Sequence, residues 1–266
     1  MLLKIAHTTR YNYGQPVPYG LQQLRLRPQA TQAQTAKSWT LDIEGATPQA
    51  QFSDQHGNIV DLVGVDEDVS EIVLTCSGEI ETTDTHGVSG PHAGPAALWY
   101  FLRQTPLTTP GKAMEGLLNS FNPDTDETLP RLHALSEHIL RHVPYTSDVT
   151  HSGTTAESAV SNGEGVCQDH THIFLALARS LGIPARYVSG YLMMNDREMQ
   201  DASHAWAEAH VEGLGWVGFD ISNAISPDER YVKIATGLDY IEAAPVSGFI
   251  HGGGTESLVV SLQVQQ

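Results

Sequence analysis

In SNGEGVCQDHTHIFLALARSLGIPARYVSGY, residues 161–191, a lone cysteine stands between a glycine-rich turn and an apolar helix, with two histidines close behind. Three roles compete for Cys167: nucleophile, metal ligand, or small buried hydrophobe. A thiol attacks as its thiolate, a minor species of a free cysteine at neutral pH. A helix start offers unpaired N–H groups and a partial positive charge, which favour the anion and can later hold an oxyanion on an attacked carbonyl. Gly163 and Gly165 keep the approach to the sulfur uncrowded. The placement suits a nucleophile.

Such a nucleophile needs a base, and the base needs a group to orient it. DASHAWAEAHVEGLGWVGFDIS, residues 201–222, reads as a β-hairpin turning at Glu212-Gly213-Leu214-Gly215. Alternation places His204, Trp206, Glu208 and His210 on one face of its first strand and Ala205, Ala207 and Ala209 on the other. The midpoint of residues 204 and 220 is 212, at the edge of the turn. His204 and Asp220 should therefore face each other within a residue or two, close enough for a carboxylate to hold an imidazole tautomer.

The metal role is weaker. Cys167 and His170 could share a helix face, but His172 points elsewhere, and no second pair completes a four-ligand set at familiar spacing. His133 to His138 is one residue too long for the inverted zinc-protease motif. No metal is expected. Gln168, Asp169, Tyr145 and Trp206 are candidates for substrate or oxyanion contacts. Asp169 would equally serve as an acid in a first helical turn, Trp206 as packing on a strand, and Tyr145 as an ordinary residue after a helix-ending proline.

The elements around these residues change character along the chain. The first 85 residues carry short, partly alternating segments such as LKIAHTTRYNY, GLQQLRLRP, KSWTLDIEG, GNIVDLVGV and SEIVLTCSGEIET, separated by turn residues. HGVSGPHAGPA, residues 86–96, marks a boundary. Helical spacing follows in PAALWYFLRQT, GKAMEGLLNSF and LPRLHALSEHILRHV; Thr154-x-x-Glu157 looks like a capping box, and CQDHTHIFLALARSLG forms a helix with Phe174, Leu177, Ala178 and Leu181 inward. Strands return in PARYVSGYLMM, HAWAEAHVEG, GWVGFDI and SLVVSLQV. Strands, then helices, then strands predict an α+β fold: a sandwich-like antiparallel β-domain over 1–85, a linker over 86–96, and a core over 97–266 that includes the C-terminal strand.

GVCQDHTHIFLALARSLGIPARYVSGY and SHAWAEAHVEGLGWVGFD resemble the cysteine, histidine and aspartate motifs of the transglutaminase-like superfamily, of papain-like fold. HTTRYNYGQPVPYGLQQLRLRPQ looks like the β-domain preceding this core in one bacterial branch, and GLDYIEAAPVSGFIHGGGTESLVVSLQV looks like that branch's tail. The resemblance implies Cys167 as nucleophile, His204 as general base and acid, and Asp220 as the residue orienting His204. One departure is visible: Ile221 and Ser222 follow the aspartate where the family usually has proline. A Cys–His–Asp set performs acyl transfer, with water as acceptor in a peptidase or amidase and an amine in a transglutaminase. The resemblance inclines toward hydrolysis of peptide or protein substrates. A third possibility is a non-catalytic protein-binding scaffold that keeps the three residues.

Composition bounds the remaining choices. The chain of 266 residues can bury a sizeable core. Its formal charge of −17, from 31 acidic against 14 basic residues, and its lack of a Lys/Arg cluster argue against nucleic acid as partner. No apolar run approaches a membrane span, and the opening MLLKIAHTTRYNYG turns polar too early for a secretory signal, so the cytoplasm is expected. Two cysteines fit a reducing compartment, with Cys76 in EIVLTCSG reading as a small core residue. No calcium-loop pattern is present, so no cofactor is expected.

Overall fold

The computed structural model describes residues 1–147, 149–194, 199–200 and 203–266. The N-terminal region forms six strands: β1 (Leu2–Val17), β2 (Tyr19–Leu24), β3 (Gln34–Glu44), β4 (Ala46–Ser53), β5 (Ile59–Val65) and β6 (Val69–Thr82). After β7 (Val88–Gly90) and a short 3-10 helix (Leu98–Leu102) come α1 (Lys112–Ser120), α2 (Thr128–His142), α3 (Ala156–Asn162) and α4 (Cys167–Ser180). Then follow β8 (Ala185–Leu192), β9 (Met199–Gln200), β10 (His204–Val211), β11 (Gly215–Phe219), β12 (Tyr231–Gly237), α5 (Tyr240–Ala243), β13 (Val246–His251) and β14 (Glu256–Gln265).

These strands build three antiparallel sheets, in the orders β3-β6-β1-β14-β9, β13-β2-β5-β4 and β12-β8-β10-β11-β7. The first two sheets pack face to face over Tyr13, Val17, Leu24, Val63, Ile72, Leu74 and Cys76, a sandwich that the alternation in β1 and β6 requires. The same face of β1, nearer its start, turns Leu3 and Ile5 onto the third sheet, where they meet Tyr191, Val232 and Ile234 beside Leu262 and Val264 of β14. Each such aliphatic burial contributes about 1.5–3 kcal/mol. The β-domain therefore covers one face of the core sheet.

The other face of that sheet carries the helices. Ala205, Ala207 and Ala209 of β10 are small enough to seat α4 directly on the strand, and Ile173, Phe174 and Leu177 fill the contact. Rather than showing one inward stripe, α4 is buried at every position from Asp169 to Arg179, because the sheet and α1–α3 enclose it. Only its first two residues and its last, Ser180, reach the surface. It ends at Ser180, followed by Gly182 at φ +79°, a left-handed turn that suits glycine.

Two boundary expectations change. The C-terminal strand does not belong to the core sheet: β14 pairs with β1, from Lys4 opposite Gln265 to Tyr13 opposite Glu256, and β13 pairs with β2. Its apolar alternation fits the open edge of β1, whereas the core sheet is already filled by β7 and β12. Residues 88–90 of the supposed linker are β7, an edge strand of the core sheet paired with β11. The expected capping box also changes. Thr155 caps α3 by accepting from the Ser158 N–H, and Glu157 instead accepts the N–H groups of Gly111, Ala113 and Met114, capping α1 from across the helical layer. Those hydrogen bonds hold its carboxyl below the usual range although burial opposes them.

Candidate active site

Val166 is the N-cap of α4, and Cys167 is its first residue. Asp169 fastens the start: its Oδ2 accepts from the Val166 N–H at 2.9 Å and from Thr150 Oγ1 at 2.7 Å. Gly165 leaves room for this, since a Cβ there would stand 2.8 Å from the Asp169 Cβ. The two glycines expected to keep the approach to the sulfur uncrowded serve other ends: Gly163 ends α3 at φ +74°, and Gly165 accommodates Asp169. Cys167 is half-buried and unoxidised.

His204 begins β10, with its side chain 13% exposed and Cys167 close enough to its imidazole to act on its pKa. Its Nε2 donates to Asp220 Oδ2 at 2.6 Å, which leaves Nδ1 for the sulfur. Across the hairpin Ala207 faces Phe219 and Val211 faces Gly215, so extending that register sets Asp220 opposite Trp206, two residues from His204. The contact is diagonal on one sheet face. Spacing sets His204 opposite Asp220 and the family resemblance adds Cys167; the structure brings the three to one place.

Asp220 is sealed at 0% exposure, yet its carboxylate is well served. Oδ2 accepts from His204 Nε2, from Asn223 Nδ2 at 2.7 Å and from the Tyr231 hydroxyl at 2.7 Å; Oδ1 accepts from the Asn223 N–H at 3.2 Å. Burial would raise its pKa, but these donors and the neighbouring imidazole hold it below the ordinary carboxyl range. For His204, burial acts to lower the pKa. Bonds to Asp220 and Cys167, with their charges, override it and push the ring up to about 10. Burial and the Asp220 charge keep the Tyr231 phenol protonated.

The remaining candidates fall around this group. Trp206 is 2% exposed and lies behind the site, stacked along His204 with centroids 6.3 Å apart and meeting Tyr231 edge-on at 5.4 Å. Asp169 is also fully buried, so both act as supports rather than as substrate contacts. Gln168 donates its amide to the Ser152 carbonyl at 3.0 Å. Tyr145 is 52% exposed and bridges through its backbone to Gly165, two residues before the sulfur. The metal set is dispersed. His170 binds the Val143 carbonyl and Ser222 Oγ, while His172 Nε2 accepts from the Tyr240 N–H. Burial holds His170 below its usual pKa and pushes His172 down to about 3. Among the described residues no group of three or more His, Cys, Asp or Glu side chains is arranged to hold a metal ion.

Sequence reasoning missed three partners. Asn223 was legible as a turn residue three positions after Asp220. Tyr231 comes from the next strand, with no local signal to place it. Ser222, next to the Ile221 that stands where the family usually has proline, donates its hydroxyl to His170 Nδ1 at 2.8 Å and so ties the turn after Asp220 to the cysteine helix.

A cysteine opening a buried helix, beside a histidine–aspartate hairpin, defines a papain-like thiol site. Residues 116–221 match the transglutaminase-like superfamily, and residues 3–81 match the bacterial transglutaminase-like N-terminal region. The chain belongs to the transglutaminase-like superfamily, in the bacterial branch with that N-terminal region. An uncharacterized protein of Mycobacterium leprae is 27% identical over 98% of both chains, and one of Mycobacterium tuberculosis is 28% identical over 98% of this chain and 91% of its own. A crystal structure of a Cytophaga hutchinsonii protein proposed to be a cysteine protease shares the fold, with a TM-score of 0.78 and 23% identity, covering 100% of this chain and 90% of that one. No helix of the described residues is long and apolar enough to cross a membrane.

Proposed function

We propose that the protein is a thiol-dependent acyl-transfer enzyme that cleaves amide bonds in peptide or protein substrates, with water as the acceptor. The observation that carries this reading is the 2.6 Å hydrogen bond from His204 to the buried Asp220, with Cys167 close enough to the same imidazole to act on its pKa. The sulfur attacks the carbonyl carbon. Imidazolium His204 passes its proton to the leaving amine as the C–N bond breaks, giving a thioester. His204 then takes a proton from water, the hydroxide oxygen attacks the thioester, the acid leaves, and the thiolate returns. Asp220 stabilises the imidazolium and fixes which nitrogen faces the sulfur. Helix N–H groups at Cys167 supply oxyanion donors. With its thiols free, the enzyme belongs in a reducing compartment, which supports the cytoplasm.

The test has two stages. Iodoacetamide should modify Cys167 rapidly at neutral pH, and His204→Ala should slow it; equal rates in the two proteins would remove the relay. Incubation with a glutamine peptide and a labelled amine then separates acceptors. Hydrolysis should exceed amine incorporation, and the reverse ratio would make the protein a transglutaminase.

A further inference from the structure

Behind the hairpin, on the face away from α4, Glu208 is sealed at 1% side-chain exposure. Arg186 donates Nε to Glu208 Oε2 at 2.7 Å and sets Nη2 at the same distance, while Lys233 Nζ and Ser89 Oγ bind Oε1. The two cations are themselves only 15% and 12% exposed. Among the described residues no other carboxylate touches either of them. Two positive charges therefore meet one negative charge, and the surplus is costly to leave unmatched in a low-dielectric setting.

The same two cations form one wall of a cavity of about 410 Å³ between the β-sandwich and the core sheet. Gln32, Gln55, Phe101 and Trp216 contribute to the rest, and no Asp or Glu among the described residues lines it, in a chain with 31 acidic against 14 basic residues. The Arg186 guanidinium lies over the Trp216 ring at 4.2 Å, which holds its fork in place, and its Nη1 has no acceptor among the described residues. Domain-interface cavities of this size that aim a few charged or polar groups inward suit small polar ligands.

We infer that this cavity binds a small carboxylate of amino-acid or dipeptide size, its carboxylate paired with Arg186 and Lys233 and its body against Trp216 and Phe101. A monoanion matches the single surplus charge, and the planar fork of arginine matches a carboxylate. The site does not depend on the thiol chemistry, so it is tested in Cys167→Ser protein.

Calorimetric titration with N-acetylalanine should saturate with a Kd below about 1 mM, and N-acetylalaninamide should bind at least about tenfold more weakly. Arg186→Met and Lys233→Met should each weaken the acid about tenfold or more. Ala93→Trp, on an exposed loop lining the cavity and away from the ion cluster, should abolish binding while the same change in the parent leaves Cys167 alkylation intact. Equal binding of acid and amide, tighter binding of inorganic phosphate, or unchanged affinity in Ala93→Trp would each overturn the assignment. So would failure to saturate by roughly 10 mM.

Discussion

Replacing Asp220 by asparagine keeps the side-chain shape and removes one buried charge. In the folded chain His204 is held at about 10 against an ordinary 6.5, a gap of 3.5 (10 − 6.5). At 1.36 kcal/mol per pKa unit this is ~5 kcal/mol in favour of the imidazolium, shared between Asp220 and Cys167. Without the carboxylate the ring loses one of the partners that raise it, so the alkaline limb of kcat/KM against an amide substrate should move from near 10 to lower pH, because the leaving amine needs the protonated ring. At neutral pH kcat should drop about 10³-fold as the amide presents the wrong partner to Nε2. Stability follows the same charges. Below about 6.5 the ring is protonated in both states and its contribution is complete; between 6.5 and 10 only the folded chain keeps the proton, so stability declines as pH rises. Asp220, held below 3.8, contributes above that value and loses its contribution as pH falls. Melting curves of the asparagine variant should be flatter at both ends. An alkaline limb still near 10, with activity within a few-fold of the parent, would refute the assigned role.

Tyr231→Phe removes one of three donors to Asp220 Oδ2 and leaves the packing on Trp206; kcat should fall about tenfold with KM nearly constant, as read from initial rates. Glu157→Gln leaves one acceptor oxygen where two now serve three N–H groups of α1, costing about 1–2 kcal/mol and lowering Tm by roughly 2–4 °C in calorimetry. Glu208→Gln strands Arg186 and Lys233 without a counter-charge, and urea unfolding should register a loss of about 3 kcal/mol or more.

The chemistry was more legible than the architecture because it depends on short-range rules. A turn-to-helix cysteine and a two-stranded hairpin each specify geometry within twenty residues, so spacing put Cys167 at a helix start and His204 opposite Asp220, and the family motifs joined the two. What spacing could not reach lay across strands or layers. Tyr231 arrives from β12, and Glu157 caps a helix 44 residues earlier in the chain. The polar run of β4, buried at Ala46 and exposed throughout the rest, has no apolar alternation to announce a strand; its pairing with β5 alone holds it. The complete burial of α4 was hidden for a related reason. Polar residues at 169–172 read as surface positions until their partners are known: Val166 and Cys167 at the helix's own start, Val143 from the end of α2 and Tyr240 from α5.

The closing pairing of β14 with β1 explains why the chain's two ends matter to a site near neither of them. The alternation that faces Ala205, Ala207 and Ala209 toward α4 turns Trp206, Glu208 and Trp216 the opposite way, a surface of two indoles and a buried charge that solvent could not stabilise. The start of β3 and the segment around β7 lie over Trp206 and Glu208, and the 3-10 helix packs Phe101 on Trp216, with Gln34 of β3 gripping both backbone groups of Lys233. The strand that presents His204 is therefore fixed from both sides, by the cysteine helix on one and by the β-domain on the other. A flexible β10 would let the imidazole swing from the sulfur at little cost. Packing on both faces makes the diagonal to Asp220 the position the ring keeps, which is the orientation that proton transfer at the sulfur demands.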